Sequence, residues 1–83
     1  MNVTVKYFAS IREAIARGSE AVETDARDCG ELRDQLLARG GAYAHALARG
    51  KAVRIAVNQV MSDELAEIAE GCEVAFFPPV TGG

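Results

Sequence analysis

Three apolar alternations frame a single helix-period run, and that order narrows the possible folds more than any other feature of the chain. Val3, Val5 and Tyr7 alternate with Thr4, Lys6 and Phe8. Val53, Ile55 and Val57 repeat the pattern, and Val74 and Phe76 share one face of a final stretch from Glu73 to Phe77. A period of two puts every second side chain on one face of a sheet. Between the first two alternations, Leu32, Leu36 and Leu37 recur at helical spacing. Asp28 with Glu31 three residues later marks the helix start, and Gly40-Gly41 marks its end. Shorter elements fill the gaps. Ile11 and Ile15 predict a short helix from Ala9 to Arg17, stopped by Gly18. Glu20 to Thr24 alternates weakly around Ala21 and Val22 and reads as a strand returning antiparallel to the first. Tyr43 and Leu47 predict another helical turn. Asn58-Gln59 is a turn signal before a short strand at Val60-Met61, and Leu65 and Ile68 predict a helical turn that plugs the core. Pro78-Pro79 ends the last strand, because proline has no ladder donor.

One long helix is too few to cover both faces of a doubly wound sheet. A chain of 83 residues also has room for only one modest core. The expected fold is therefore α+β, a ubiquitin-like β-grasp: a mixed, curved sheet with one main helix packed on one face. It spans residues 1–77, and residues 78–83 form an extended tail. With three Phe, two Tyr and no Trp, the core must be built mainly from Val, Ile, Leu and Ala.

Charge and motifs exclude several functions. The net charge is −3, and nine Lys and Arg are scattered among twelve Asp and Glu. Nucleic-acid binding wants a basic stripe, so none is expected. No apolar run approaches the roughly 18–20 residues of a membrane span. The N-terminus alternates instead of forming a signal-peptide core, so the expected location is cytoplasmic. Cys29, Cys72 and the lone His45 do not make a metal set, and the two cysteines are expected to be free thiols. His45 reads as an exposed helical residue without a catalytic partner. Glu31, Asp34, Glu64, Glu67 and Glu70 read as solvated helix-face carboxylates. There is no nucleophile-elbow motif and no phosphate loop.

The tail is the exception. Val80-Thr81-Gly82-Gly83 follows the two prolines. The prolines stiffen the exit, and the two glycines have no side chains to obstruct a narrow channel. Six extended residues from Pro78 reach roughly 20 Å, enough to carry Gly83 into another protein. A free carboxylate is ionised at neutral pH and is a poor acyl donor. Activated as an acyl adenylate, it becomes reactive. A sulfur nucleophile would then give a thiocarboxylate, and an amine would give an isopeptide bond. In either case the chemistry falls on Gly83. Phe77, next to the tail and facing away from Val74 and Phe76, reads as an interface anchor, with packing on Tyr7 or Phe8 as the alternative.

Glu73-Val74-Ala75-Phe76-Phe77-Pro78-Pro79-Val80-Thr81-Gly82-Gly83 resembles the end of the small subunits of molybdopterin synthase, the sulfur carriers of molybdenum-cofactor biosynthesis. Val5-Lys6-Tyr7-Phe8-Ala9, Ile11-Arg12-Glu13 and Ala56-Val57-Asn58-Gln59 resemble the opening strand, short helix and central turn of that family. Cys72 departs from it, since the family commonly has an aspartate there. The resemblance implies a β-grasp fold. It also implies an adenylating activator that uses ATP and Mg²⁺ to adenylate Gly83, and a persulfide source that converts the adenylate to a thiocarboxylate. Phe77, Pro78, Pro79, Val80, Thr81 and Gly82 would contact the partner. The charged tail would enter the large subunit of a heterotetramer and donate sulfur to cyclic pyranopterin monophosphate, so that two charged small subunits build one dithiolene. The chain would be a consumed and recharged co-substrate with no cofactor of its own. The rival expectations are a carrier for thiamine thiazole synthesis, a ubiquitin-like protein modifier and a plain interaction module.

Overall fold

A computed structural model describes residues 1–79. The elements run β1 (Asn2–Tyr7), α1 (Ala9–Ile15), β2 (Ser19–Glu23), α2 (Cys29–Leu37), α3 (Gly41–Ala46), β3 (Arg54–Val57), β4 (Val60–Ser62) and β5 (Glu73–Phe77). They form one five-stranded sheet in the order β2-β1-β5-β3-β4. The first and last strands lie side by side and parallel, with Val5 opposite Val74 and Tyr7 opposite Phe76. Parallel neighbours need a crossover, and the chain between them carries the longest helix, α2. The other neighbours are antiparallel. This is the α+β, β-grasp arrangement that the alternations predict.

The alternations also select the core face. Val3, Val5, Tyr7, Val22, Ile55, Val74 and Phe76 are buried on it. Ile11 and Ile15 of α1, Leu32 and Leu36 of α2, and Leu47 after α3 pack over them. The Tyr7 and Phe76 rings stack with centroids 6.4 Å apart. The turn at Asn58-Gln59 places both residues at positive φ, 49° and 68°, the twist a two-residue hairpin requires. Asp28 caps α2, its carboxylate accepting from the Glu31 N–H at 2.8 Å. Glu31 reaches back past the cap to the Arg27 N–H, at 2.7 Å. Cys29 and Cys72 are free and buried, and burial pushes the Cys29 thiol up to about 11.

Two expectations require correction. Helix α1 does not run to Arg17. It ends at Ile15, with Ala16 in the left-handed region at φ 66° and its N–H closing on the Arg12 carbonyl. The Gly18 carbonyl instead accepts from the Tyr7 N–H at 3.0 Å, starting the β1–β2 ladder. Second, Leu65 and Ile68 do not share a helical turn. Ile68 is buried, but Leu65 is 82% exposed, and the segment is irregular. Its backbone is committed elsewhere. The carbonyls of Ala66 and Glu64 accept from the N–H groups of Cys29 and Gly30, which have no partner inside α2. Asp63 turns the chain by accepting from the Leu65 N–H. Glu64 and Glu67 therefore lie on a strap across the start of α2 and not on a helix face, and Glu70 accepts from the Asn2 N–H at the start of β1 at 3.1 Å. Glu64 pairs with Arg33 and Arg49, and Asp34 with Arg49.

Candidate functional site

Because β5 alternates, its outer face carries Glu73, Ala75 and Phe77. Ala75 sits opposite Ala56 of β3, and Ala56 sits opposite Met61 of β4. Phe8, just past the end of β1, sets its ring edge-on to Phe77 with centroids 6.4 Å apart. The result is an apolar strip across the sheet face that no helix covers. Its centre is two small, buried alanines, and its raised ends are Phe8, 44% exposed, and Met61, 59% exposed. An exposed apolar strip of this kind is the usual mark of a docking surface. The packing alternative for Phe77 is realised against Phe8. Tyr7 lies on the other face, its hydroxyl bonded to Glu20.

The strip ends where the chain leaves the sheet. The Phe8 N–H bonds the Phe76 carbonyl at 3.1 Å, so the end of β5 is held to the start of α1. Pro78 follows and lines a small pocket of about 170 Å³ between α1, α3 and residues 51–53. Pro78 and Pro79 are half-buried. Val80, Thr81, Gly82 and Gly83, expected to carry passage and chemistry, lie outside the described residues.

Beneath the same end sits a polar cluster that the weak alternation of β2 conceals. Glu20 occupies a core-facing position. Its carboxylate accepts from the Tyr7 and Tyr43 hydroxyls, both at 2.7 Å, and from Arg39 at 2.9 Å and Arg17 at 3.3 Å. Arg39 also lies over the Tyr43 ring. Burial raises the Glu20 pKa, but the hydrogen bonds from Arg39, Tyr43 and Tyr7 outweigh it and hold the carboxyl below its ordinary range. Burial and the Glu20 carboxylate together push the Tyr7 phenol up. The cluster ties β1, β2, the end of α2 and α3 into one block beneath the strip and the exit.

The remaining residues fall out simply. His45 is exposed on α3, with Nε2 3.4 Å from the Lys51 ammonium. Among the described residues no group of three His, Cys, Asp or Glu side chains is placed to hold a metal ion, and no helix is long and apolar enough to cross a membrane. Sequence reasoning singled out Phe77, with Phe8 as one of two alternative packing partners, but missed Met61. Phe8 was visible, as the residue on the same parity as Thr4 and Lys6. Met61 was not, since a three-residue strand shows too little alternation to assign a face.

The comparisons with known proteins agree with this arrangement. The ThiS family profile matches residues 5–83. The "molybdopterin synthase sulfur carrier subunit" of Haemophilus influenzae is 37% identical over 81 residues, covering 98% of this chain and 99% of that protein. Its namesake in Escherichia coli is 38% identical over 81 residues, with the same coverage. The crystal structure of SAMP1 from Haloferax volcanii superposes with a TM-score of 0.77 at 26% identity, covering all of both chains. A chain from a protein–protein complex of subunits 1 and 2 of the molybdopterin-converting factor of Helicobacter pylori superposes with a TM-score of 0.68 at 27% identity, again covering both chains fully.

Proposed function

The chain belongs to the ThiS family, and we propose that within it this protein is the sulfur carrier and donor subunit of molybdopterin synthase. Whole-length similarity to the named sulfur carrier subunits carries the reading. The apolar strip ending at the tail supports it, because a donor must be held by its body while its end is delivered elsewhere.

The chemistry falls on Gly83. Its carboxylate attacks the α-phosphate of ATP in an adenylating activator that supplies Mg²⁺, and pyrophosphate leaves. A persulfide attacks the acyl carbon and AMP leaves. A second thiol then attacks the donor-side sulfur of the acyl disulfide, forms a disulfide with it and frees the thiocarboxylate. This chain contributes no catalytic side chain to those steps. It contributes position. The strip of Phe8, Phe77 and Met61 docks on the large subunit. Pro78 and Pro79 fix the direction of departure, and Gly82 passes a constriction too narrow for a Cβ. The sulfur goes to cyclic pyranopterin monophosphate inside the large subunit, in a heterotetramer of two small and two large chains.

Reconstitution with the large subunit, activator, Mg-ATP and a sulfur source tests this. Deleting Gly82-Gly83 is expected to leave the thermal melt unchanged and abolish dithiolene formation. A deletion variant that still forms dithiolene would sink the proposal. Isopeptide adducts on target lysines in cell extracts would favour a protein modifier instead.

A further inference from the structure

The nine Lys and Arg that look scattered along the chain are not scattered in space. Six are engaged in ion pairs: Lys6 with Glu73, Arg17 and Arg39 with Glu20, Arg27 with Glu31, Arg33 with Glu64, and Arg49 with Asp34 and Glu64. The other three, Arg12, Lys51 and Arg54, have no acidic partner among the described residues, and all three stand at the end of the sheet where the tail departs. Arg54 is directly opposite Phe77 in the β3–β5 ladder. Lys51 lines the same pocket as Pro78, beside His45. Arg12 is on α1, which starts from the Phe8–Phe76 bond, and its guanidinium lies over Gly18. The acidic side chains at this end are Glu13, the fully engaged Glu20, and Asp63 and Glu64, which line a pocket with Arg54, Glu64 being paired with Arg33 and Arg49. The opposite end carries Glu23, Asp25, Asp28, Glu31, Glu67 and Glu70, with Arg27 and the N-terminal ammonium as its cations.

The position of Lys51 is also built. Arg33, only 3% exposed, donates to the carbonyls of Leu47 at 2.9 Å, Ala48 at 2.7 Å and Lys51 at 3.2 Å. A buried guanidinium thus holds the loop between α3 and β3 in place and fixes where its ammonium stands. The overall charge of −3 argues against attraction to an acidic protein. Screening removes that objection. The ends of the six-residue β1 are roughly 17 Å apart, about twice the Debye length at physiological salt. A partner approaching the tail senses the near end.

We propose that Arg12, Lys51 and Arg54 form a cationic collar around the tail exit, which docks on a carboxylate-rich rim at the entrance of the protein that adenylates the tail. This rests on the sulfur-carrier reading and names the chemistry of one partner surface in it. The collar adds charge complementarity beside the apolar strip. Rim charges of this kind set association rate and salt dependence more than final affinity.

The test is steady-state adenylation of the full chain by the activator of the same cell. It compares wild type, a reversed collar (R12E, K51E and R54E together), a neutral collar (R12Q, K51Q and R54Q together) and a distant control (E23K with E67K). The reversed collar is expected to raise the KM for the carrier by about tenfold or more at low salt. The kcat and the KM for Mg-ATP should stay within about twofold, and the wild-type salt dependence should change sign, added salt now lowering the carrier KM. The neutral collar gives a smaller rise in the same direction, and it carries the test if the reversed protein melts early. The distant control should match wild type. Three results overturn the collar: a carrier KM unchanged in both collar variants, an equal effect from the distant control, or a change confined to the KM for Mg-ATP, which would assign the cations to nucleotide phosphates. An activator that charges another carrier but not the wild-type chain overturns the sulfur-carrier reading itself, and the collar with it.

Discussion

The two faces of β5 are built from similar residues and do different work. Val74 and Phe76 point inward, and neither has exposed surface. Ala75 and Phe77 point outward into the apolar strip with Phe8 and Met61. Inward, the aromatic ring stacks on Tyr7 beneath two helices. Outward, its neighbour meets one half-exposed ring and no helix. Stability is therefore concentrated on one side of a five-residue strand and recognition on the other. Apolar character alone does not say which; coverage does.

Substitutions on this strand separate the two roles. Phe76→Ala is expected to cost about 3–5 kcal/mol of folding stability, the usual range for a fully buried ring. For a domain this small that is a drop in melting temperature of at least about 12 °C, which calorimetry would register. Phe77→Ala is expected to cost less than about 1 kcal/mol in the melt but about 2 kcal/mol in binding the large subunit, measured by titration calorimetry. If Phe77→Ala melts as early as Phe76→Ala, or binds the partner as wild type does, the division between the faces collapses.

The Glu20 cluster sharpens the comparison, since it lies on the inner side yet is polar. Its carboxyl is held below the ordinary range by Arg39, Tyr43 and Tyr7. A folded-state pKa below the unfolded value contributes stability above about pH 4.3 that is lost as pH falls through the folded value. Acid titration of the melting temperature is expected to show this loss. Glu20→Gln should flatten the acid limb and cost about 1–3 kcal/mol at neutral pH. An unchanged acid limb would mean that the cluster contributes no pH dependence. The smallest effect belongs to Leu65→Ser. With that side chain 82% exposed, the melt should move by no more than about 0.5 kcal/mol.

How much was legible follows from which forces are local. β1, β3 and β5 were readable because a buried face imposes period-two alternation. The start of α2 was readable because an N-cap is a four-residue event. The segment from Asp63 to Glu70 was not. Leu65 and Ile68 have helical spacing, but the segment's backbone carbonyls serve the N-terminus of α2, a partner more than 30 residues away in the chain. The inward position of Glu20 was hidden for a related reason. A charged residue on a core face breaks the alternation, and its compensation comes from Tyr43 and Arg39 on other elements. The outer strip was half visible. Phe77 and Phe8 show in the alternation, whereas Met61 joins them only through the β3–β4 register.

The most direct measurement is a fragment-ion mass spectrum of the C-terminal peptide after incubation with the activator, Mg-ATP and a sulfur source. Intact mass is not enough, because exchanging oxygen for sulfur has the same nominal mass as oxidising Met61. The account predicts that the fragments place the change on Gly83, with Met61 unmodified. A Gly83 that remains a carboxylate beside an activator that charges another carrier would contradict it.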